Sequence, residues 1–229
     1  MKTVLTVELF SRYKTELMGI AVIGVLIAHL IGLGEIGSSH LLIKTINFIP
    51  RRAFTEGFLF LSGFGLYYSF TGNDNVKEFY LRRAKRLLIP YIILSIWFFL
   101  YKDLIEMFNL LNFFLHCSSL AFWYDGNYYG MWYISISVFL YTIFPLFYKY
   151  ISKPVGGIMT AIFVLITVIL NIAFQQFIPE YYDKIAIGIN KIPVCIIGVY
   201  AGKLSLYNNH KGSTILLCLV GMFWIISYF

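Results

Sequence analysis

The sequence predicts an all-α membrane protein, a polytopic transmembrane helix bundle of about seven spans. Three observations lead to this fold class. Hydrophobic residues make up 59% of the 229 residues and charged residues only 13%, whereas soluble domains have about 25% charged residues. The mean hydropathy is +0.77, and long apolar runs recur nearly from end to end. These runs are apolar on every face, so they lack the alternation of a transmembrane barrel.

Seven of the runs are predicted to cross the membrane as helices, because a helix satisfies its backbone hydrogen bonds internally. The predicted spans are 16–34, 54–70, 88–107, 130–148, 155–175, 186–203 and 213–229. A further apolar segment, 108–123, has the length of a buried or interfacial half-span. No linker, low-complexity tract or repeat divides the chain, so we expect a single membrane domain over residues 1–229.

The positive residues predict the orientation. With the N-terminus inside and seven spans, twelve of the eighteen lysines and arginines lie on the inner side, which favours a multi-pass protein of the cell membrane with a cytoplasmic N-terminus. The first ten residues are too short to contain the apolar core of a cleavable signal. We assign the net charge of +7 to topology and to contact with anionic membrane lipid, and expect no nucleic-acid partner.

The first span contains a histidine well inside its apolar run. His29 lies about 20 Å along the helix from Glu16, in a hydrocarbon layer about 30 Å thick. An ionisable side chain at that depth indicates a functional site, because an apolar residue would insert at lower cost. The alternative is a neutral imidazole that bonds a neighbouring helix and serves packing alone.

No acidic residue of the first span shares the face of His29. At about 100° per residue, Glu16 points about 140° away from the histidine. A group that orients the ring must therefore come from a later span. The polar candidates in or near those spans are Glu56, Ser62, Tyr133, Ser135, Ser137 and Lys191.

The second span and the segment after it carry two further features. Ser62, Gly63 and Phe64, followed by Gly65, place a hydroxyl and two glycines at mid-depth, where a helix packs closely or leaves room for an extended ligand. A basic cluster then precedes the third span; it contains Arg82, Arg83, Lys85 and Arg86. Charge alone favours anchoring at anionic lipid. The functional alternative is a site for a phosphorylated donor, because guanidinium groups suit phosphate geometry.

The connection before the fourth span is rich in aromatic residues. Its candidates for contact with a sugar are Trp123, Tyr124, Asp125, Trp132 and Tyr133. Their flat rings would stack on a sugar, and the carboxylate would hydrogen-bond it. The alternative is an aromatic belt at the water interface. The three cysteines are scattered and the histidines lack metal-ligand spacing, so neither a disulfide framework nor a metal site is expected.

Five segments in this order resemble the acyltransferase 3 family of integral-membrane proteins, which acylates sugars and other cell-surface acceptors in bacteria. The first is Glu-Leu-Met-Gly-Ile-Ala from Glu16, running to His29. The second is Phe-Leu-Phe-Leu-Ser-Gly-Phe-Gly-Leu-Tyr-Tyr-Ser at 58–69, and the third is Phe-Tyr-Leu-Arg-Arg-Ala-Lys-Arg-Leu-Leu-Ile-Pro-Tyr at 79–91. The fourth runs from Trp-Tyr-Ile-Ser at 132–135 to Phe-Pro at 144–145. The fifth begins with Lys-Ile-Pro at 191–193 and continues to residue 203.

The resemblance implies transfer of an acyl group, usually acetyl, from a cytoplasmic coenzyme A thioester to a hydroxyl exposed outside the membrane. His29 would act as general base or as transient acyl carrier, and both roles need an uncharged imidazole. Arg83 and Arg86 would bind the donor phosphates, and residues 62–64 would line the path of the thioester arm. The expected partners are acyl-coenzyme A and a glycan or other hydroxyl acceptor, with no cofactor besides the donor.

The resemblance also implies residues that support the site, and the chain departs from the family pattern at several positions. Glu56, Ser137 and Lys191 would support the site. Met18 stands where the family commonly has an arginine, with Lys14 one turn earlier. In addition, many members have a glutamate near the position of Ser137, and this chain has lysine at position 191 where the family has arginine. Members usually continue for several spans beyond this length, which implies either a truncated or divergent member or one that needs a partner to supply the missing spans.

Two other functions stay open at the level of sequence. One is a catalytically inactive remnant or assembly partner, which the missing arginine and carboxylate would explain. The other is a transporter, for which paired inverted repeats with interrupted helices are expected. We find no convincing internal symmetry in the sequence.

Overall fold

The computed structural model describes residues 11–33, 41–126 and 131–207, with the backbone alone at residues 28, 30–33 and 41–53. Every regular element in these ranges is a helix, which confirms the predicted all-α class. In chain order the helices are α1 (Lys14–Leu33), α2 (Leu41–Thr71), α3 (Val76–Arg83), α4 (Ile89–Phe99), α5 (Leu110–Cys117), α6 (Ala121–Asp125), α7 (Trp132–Ile151), α8 (Gly156–Phe177), α9 (Pro179–Ile189) and α10 (Ile192–Leu206).

Four helical stretches in the described residues are long and apolar enough to cross a membrane. They are Val76–Glu106, Trp132–Ile151, Gly156–Phe177 and Pro179–Leu206. The structure thus supports four of the seven predicted spans. The predicted spans 16–34 and 54–70 fall on α1 and α2, and 213–229 lies outside the described residues. The proposed half-span 108–123 forms the two short helices α5 and α6.

Two π-helical segments interrupt the first of these stretches. Ala84–Leu88 joins α3 to α4, and Leu100–Glu106 follows α4. Pro90 lies directly after the first segment and lacks the N–H that an α-helix would need there. A wider turn, in which the Ile89 N–H bonds the Ala84 carbonyl, accommodates the proline without ending the helix. The basic cluster therefore lies on continuous helix rather than in a loop.

The chain divides into two compact units. Among the described residues, the first unit contains 11–33, 41–68 and 194–207, and the second contains 69–126 and 131–193. The expectation of a single membrane domain stays a prediction.

In the first unit, α2 and α10 pack with their backbones in close contact. At Gly63 an added Cβ would overlap the carbonyl oxygen of Cys195, and at Gly198 it would overlap that of Phe60. Apolar burial gives helices in lipid little reason to associate, so close approach through small residues supplies the packing energy. The phenol of Tyr68 adds a hydrogen bond of 2.9 Å to the Ser205 hydroxyl.

Helix α1 packs on this pair through one face. Leu17 and Met18 contact the core that α2 and α10 form, and Ala21 and Gly24 are buried further along the same face. Phe54 of α2 fills the space beside Gly24. This face fixes which side chains of α1 point outward.

Aromatic rings form the core where α3 meets α7 in the second unit. Phe79 lies 5.3 Å from both Phe70 and Phe144, measured between ring centroids. The α3 helix begins at Asn75, whose side chain accepts hydrogen bonds from the backbone N–H groups of Lys77 and Glu78. The Tyr80 hydroxyl also donates to the Thr142 carbonyl at 2.9 Å.

Substitution of Gly63 by alanine tests the close packing of α2 and α10. Because the new Cβ meets a backbone carbonyl, we expect Gly63→Ala to lower the free energy of unfolding by about 1–3 kcal/mol. The matched control is Gly57→Ala on the same helix, where no atom lies within 4 Å of an added Cβ. Thermal unfolding in detergent measures both; equal midpoints would contradict the packing model.

Candidate functional site

His29 lies at the edge of the packed face of α1. It is about 80° around the helix from the buried Ala21, and its side chain is exposed. We expected a later span to orient the ring, which would leave it buried. The ring is exposed because it lies at the edge of the packed face of α1, which includes Met18, Ala21 and Gly24.

The second segment of the candidate site lies on α2 in the same unit. Gly63 touches the α10 backbone, and Phe64 is buried in the core and stacks on Tyr68 at 5.2 Å. Ser62 is half-buried, as is Glu56 about two turns earlier. Gly63 and Phe64 therefore set the spacing of α2 and α10, and a role along the donor path stays a prediction for all three of residues 62–64.

A lysine supplies a cation to this part of the first unit. The Lys14 side chain crosses from α1 to α2, and its ammonium group occupies the space that a Cβ at Gly65 would need. Met18, where the resemblance led us to look for a cation, instead packs against the apolar core. The positive charge near residues 62–65 thus comes from one turn earlier on α1.

In the second unit the structure holds Arg83 between two aromatic rings. Its guanidinium carbon lies 5.5 Å from the ring centroid of Phe79 and 5.5 Å from that of Tyr141. Such cation–π contacts fix the plane and direction of the guanidinium group. Its Nε–H is buried and has no hydrogen-bond partner within the described ranges. A buried donor of this kind is uncommon and favours an acceptor supplied by a ligand.

The neighbouring basic residues are held less firmly. Arg82 makes a salt bridge of 3.4 Å with Glu78, and its Nη2 is buried without a hydrogen-bond partner in the described residues. Arg86 is exposed and lies three residues after Arg83, within the π-helical segment. Arg83 therefore offers an anionic ligand a cation of fixed orientation, and Arg86 offers an exposed one.

The aromatic candidates lie on α6 and at the start of α7. Trp123 is half-buried with its ring 5.4 Å from that of Phe139, and its carbonyl accepts a hydrogen bond from the Tyr181 hydroxyl. Tyr124 remains 67% exposed. Asp125 faces Lys184 across 3.7 Å. The first two helical residues of α7, Trp132 and Tyr133, are half-buried, with ring centroids 6.0 Å apart.

The remaining predicted site residues are placed separately. Ser137 is buried on α7, and Lys191 is half-buried in the turn between α9 and α10. Both belong to the second unit, whereas Glu56 and His29 belong to the first.

Sequence reasoning missed one pair of polar side chains. Asp103 and His116 form a contact of 2.7 Å between Oδ2 and Nδ1 in the second unit. The signal was present, since Asp103 is a carboxylate within the apolar run 88–107, where a charged residue indicates a special environment. His116 was set aside because it lies in a predicted connection without a metal-ligand pattern.

Comparison with protein-family models matches residues 17–229 to the acyltransferase domain of the acyltransferase 3 family. No curated protein matches the chain, and no solved structure matches it. The family match covers both units and every predicted site residue.

Proposed function

Because the chain belongs to the acyltransferase 3 family of membrane acyltransferases, we propose that it moves an acyl group, acetyl in the simplest case, from a coenzyme A thioester to a hydroxyl of a cell-surface or exported glycan. The observation that carries the donor assignment is the guanidinium group of Arg83, clamped between Phe79 and Tyr141 with a buried donor that lacks a partner within the described residues.

The donor carries phosphates, and the second unit offers cations for them. Guanidinium groups bind phosphate with charge-assisted hydrogen bonds, and a group already fixed by its neighbours loses little entropy on binding. Arg83 is fixed in this way, and the exposed Arg86, three residues later, adds a second charge.

The chemical step needs a proton acceptor for the glycan hydroxyl, and His29 is the residue proposed for it. The hydroxyl proton passes to the imidazole as the oxygen attacks the thioester carbonyl. The carbon–sulfur bond then breaks, the ester forms, and the thiolate takes the proton from the imidazolium. In the carrier variant, the imidazole nitrogen attacks the thioester carbonyl, the carbon–sulfur bond breaks, and the thiolate leaves with the ring N–H proton. The glycan oxygen then displaces the imidazole from the acyl group, and the hydroxyl proton returns to the ring nitrogen.

The acceptor is assigned to the aromatic rings of the second unit. Tyr124 is the most exposed ring of α6, and Trp123 beside it is fixed by Phe139 and Tyr181. A fixed ring next to an exposed ring forms a platform for stacking a sugar, and the Asp125 carboxylate provides an acceptor for its hydroxyls. A glycan lies on this platform in the proposed complex.

Removal of the His29 imidazole tests the catalytic assignment. With acetyl-labelled coenzyme A and membranes that contain glycan, we expect His29→Ala to lower label transfer by at least about 100-fold, the usual contribution of a proton-transferring group. The matched control is Val22→Ala, an exposed residue about two turns earlier on α1, which we expect to keep wild-type transfer. Label trapped on wild-type protein distinguishes the carrier from the base.

Two outcomes of that experiment would contradict the proposal. Transfer retained by His29→Ala would place the chemistry at another residue. No transfer by any form, wild type included, would favour the inactive remnant or assembly partner.

Loss of the clamped guanidinium tests the donor site. We expect Arg83→Gln to raise the KM for acetyl-coenzyme A about tenfold or more, because a charge-assisted hydrogen bond contributes about 1.5–3 kcal/mol. Lys85→Gln is the matched control, since Lys85 is an exposed cation of the same basic cluster. With acetyl-pantetheine, which lacks phosphates, the difference between the two variants should vanish. An equal difference with both donors would show that Arg83 acts on the fold rather than on phosphate.

The exposed ring of α6 tests the acceptor site. We expect Tyr124→Ala to raise the KM for a soluble acceptor such as chitotetraose several-fold, since the stacking surface is lost. Tyr124→Phe retains the ring and should behave as wild type. The KM for the donor is measured in parallel, and a change in the donor KM alone would refute the assignment.

A further inference from the structure

The Asp103 carboxylate is buried at the end of an apolar stretch and bonds a histidine. Asp103 lies in the π-helical segment Leu100–Glu106 and is 2% exposed, and its Oδ2 is 2.7 Å from Nδ1 of His116 on α5. The extra residue of a π turn changes which side chains point inward, and such turns are frequent at functional sites. A carboxylate that bonds Nδ1 also fixes the orientation of the imidazole ring.

Two further contacts hold His116 at both its ring and its backbone. The ring stacks on Phe99, with centroids 4.2 Å apart and planes within 6°. The Tyr91 hydroxyl donates to the His116 carbonyl at 2.5 Å. The residue therefore ties the end of α5 to α4 and to the segment that follows α4.

The turn that follows His116 leads directly into α6. Ser119 in this turn has a φ of +63°, a left-handed conformation that is strained for a residue with a side chain. Its carbonyl accepts a hydrogen bond of 2.6 Å from the Ser135 hydroxyl of α7. A small cavity beside the turn, lined by Tyr91, His116, Ser119 and Ser135 among others, has room for about one water molecule. The turn thus has space to shift if its attachments are lost.

Stability alone does not account for a buried carboxyl group that bonds a histidine. Apolar residues of similar volume at such positions often give equal or greater stability, because buried polar groups must be desolvated. What a hydrogen-bonded pair supplies is one defined position for the elements that it joins. Here the element joined through the turn is α6, which carries Trp123, Tyr124 and Asp125.

We propose that Asp103 and His116 are positioning residues that hold α6 in the orientation in which its aromatic rings bind the acceptor. The proposal rests on the acceptor site described under the proposed function. Asp103 and His116 act through α6 and transfer neither the acyl group nor a proton. Loss of the pair lets the strained turn relax into the adjacent cavity and moves the rings of α6.

Hydrogen exchange tests the structural half of this proposal. Asp103→Leu removes the pair, and we expect amide exchange in residues 118–126 to become at least tenfold faster. Glu106→Leu is the matched control, because it makes the same change at an exposed position of the same π-helical segment. Asp103→Asn keeps an acceptor for Nδ1–H and should restore most of the protection. Equal exchange in Asp103→Leu and Glu106→Leu would overturn the proposal.

Enzyme kinetics test whether the pair of Asp103 and His116 supports binding of the acceptor. With acetyl-coenzyme A and chitotetraose, we expect Asp103→Leu to raise the acceptor KM about tenfold while the donor KM and kcat stay near wild type, and Asp103→Asn to recover most of the loss. Equal changes in both KM values, or none in either, would overturn the positioning role. If wild-type protein acylates no saccharide, the proposed function fails, while the exchange measurement still decides whether the pair fixes α6.

A milder variant covers the case in which Asp103→Leu does not fold. Tyr91→Phe removes only the hydroxyl that holds the His116 carbonyl. We expect the same direction of change in the exchange of residues 118–126, with smaller size. Wild-type exchange there would count against the proposal.

Discussion

The structure depends on one constraint, that backbone polar groups in a membrane need partners within the protein. Helices meet this constraint internally, and they then have to associate without help from the hydrophobic effect. In the first unit Gly63 and Gly198 bring two backbones into contact, so that dispersion over a close interface replaces apolar burial. In the second unit the same need is met by interlocked aromatic rings around Phe79. Each unit positions its candidate functional residues through these contacts.

Composition and apolar periodicity were sufficient to predict the helical class, because long runs that are apolar on every face have few alternatives in a bilayer. The packing of individual residues was harder to predict from the sequence. We expected His29 to face a later span, but nearly every face of α1 is apolar. The packed face is the one that contains Ala21 and Gly24, where the missing side chain of Gly24 leaves room for Phe54. In a membrane helix, small residues therefore locate the packed face better than hydropathy does.

In the candidate site, too, contacts between residues close in sequence were easier to predict than contacts between distant ones. Phe79 lies one turn before Arg83, so half of the cation–π clamp was visible in the sequence, whereas Tyr141 comes from another helix. The pair of Asp103 and His116 was missed because thirteen residues and a π-helical segment separate its members. A π turn leaves no mark in composition, and it changes the direction of every side chain after it. The carboxylate within an apolar run was the available sign.

Helix α8 has a consequence for biosynthesis. Few of its side chains are buried. The hydroxyls of Thr160 and Thr167 donate to carbonyls of their own turns, and the Asn171 amide nitrogen donates to the Thr167 carbonyl, while the Asn171 amide oxygen is buried without a partner among the described residues. A helix with internal backbone bonds and a mostly apolar surface is stable in hydrocarbon with few neighbours. It is therefore suited to leave the translocon on its own, ahead of the tight packing that α10 requires, and to serve as a membrane anchor around which later segments of the nascent chain assemble.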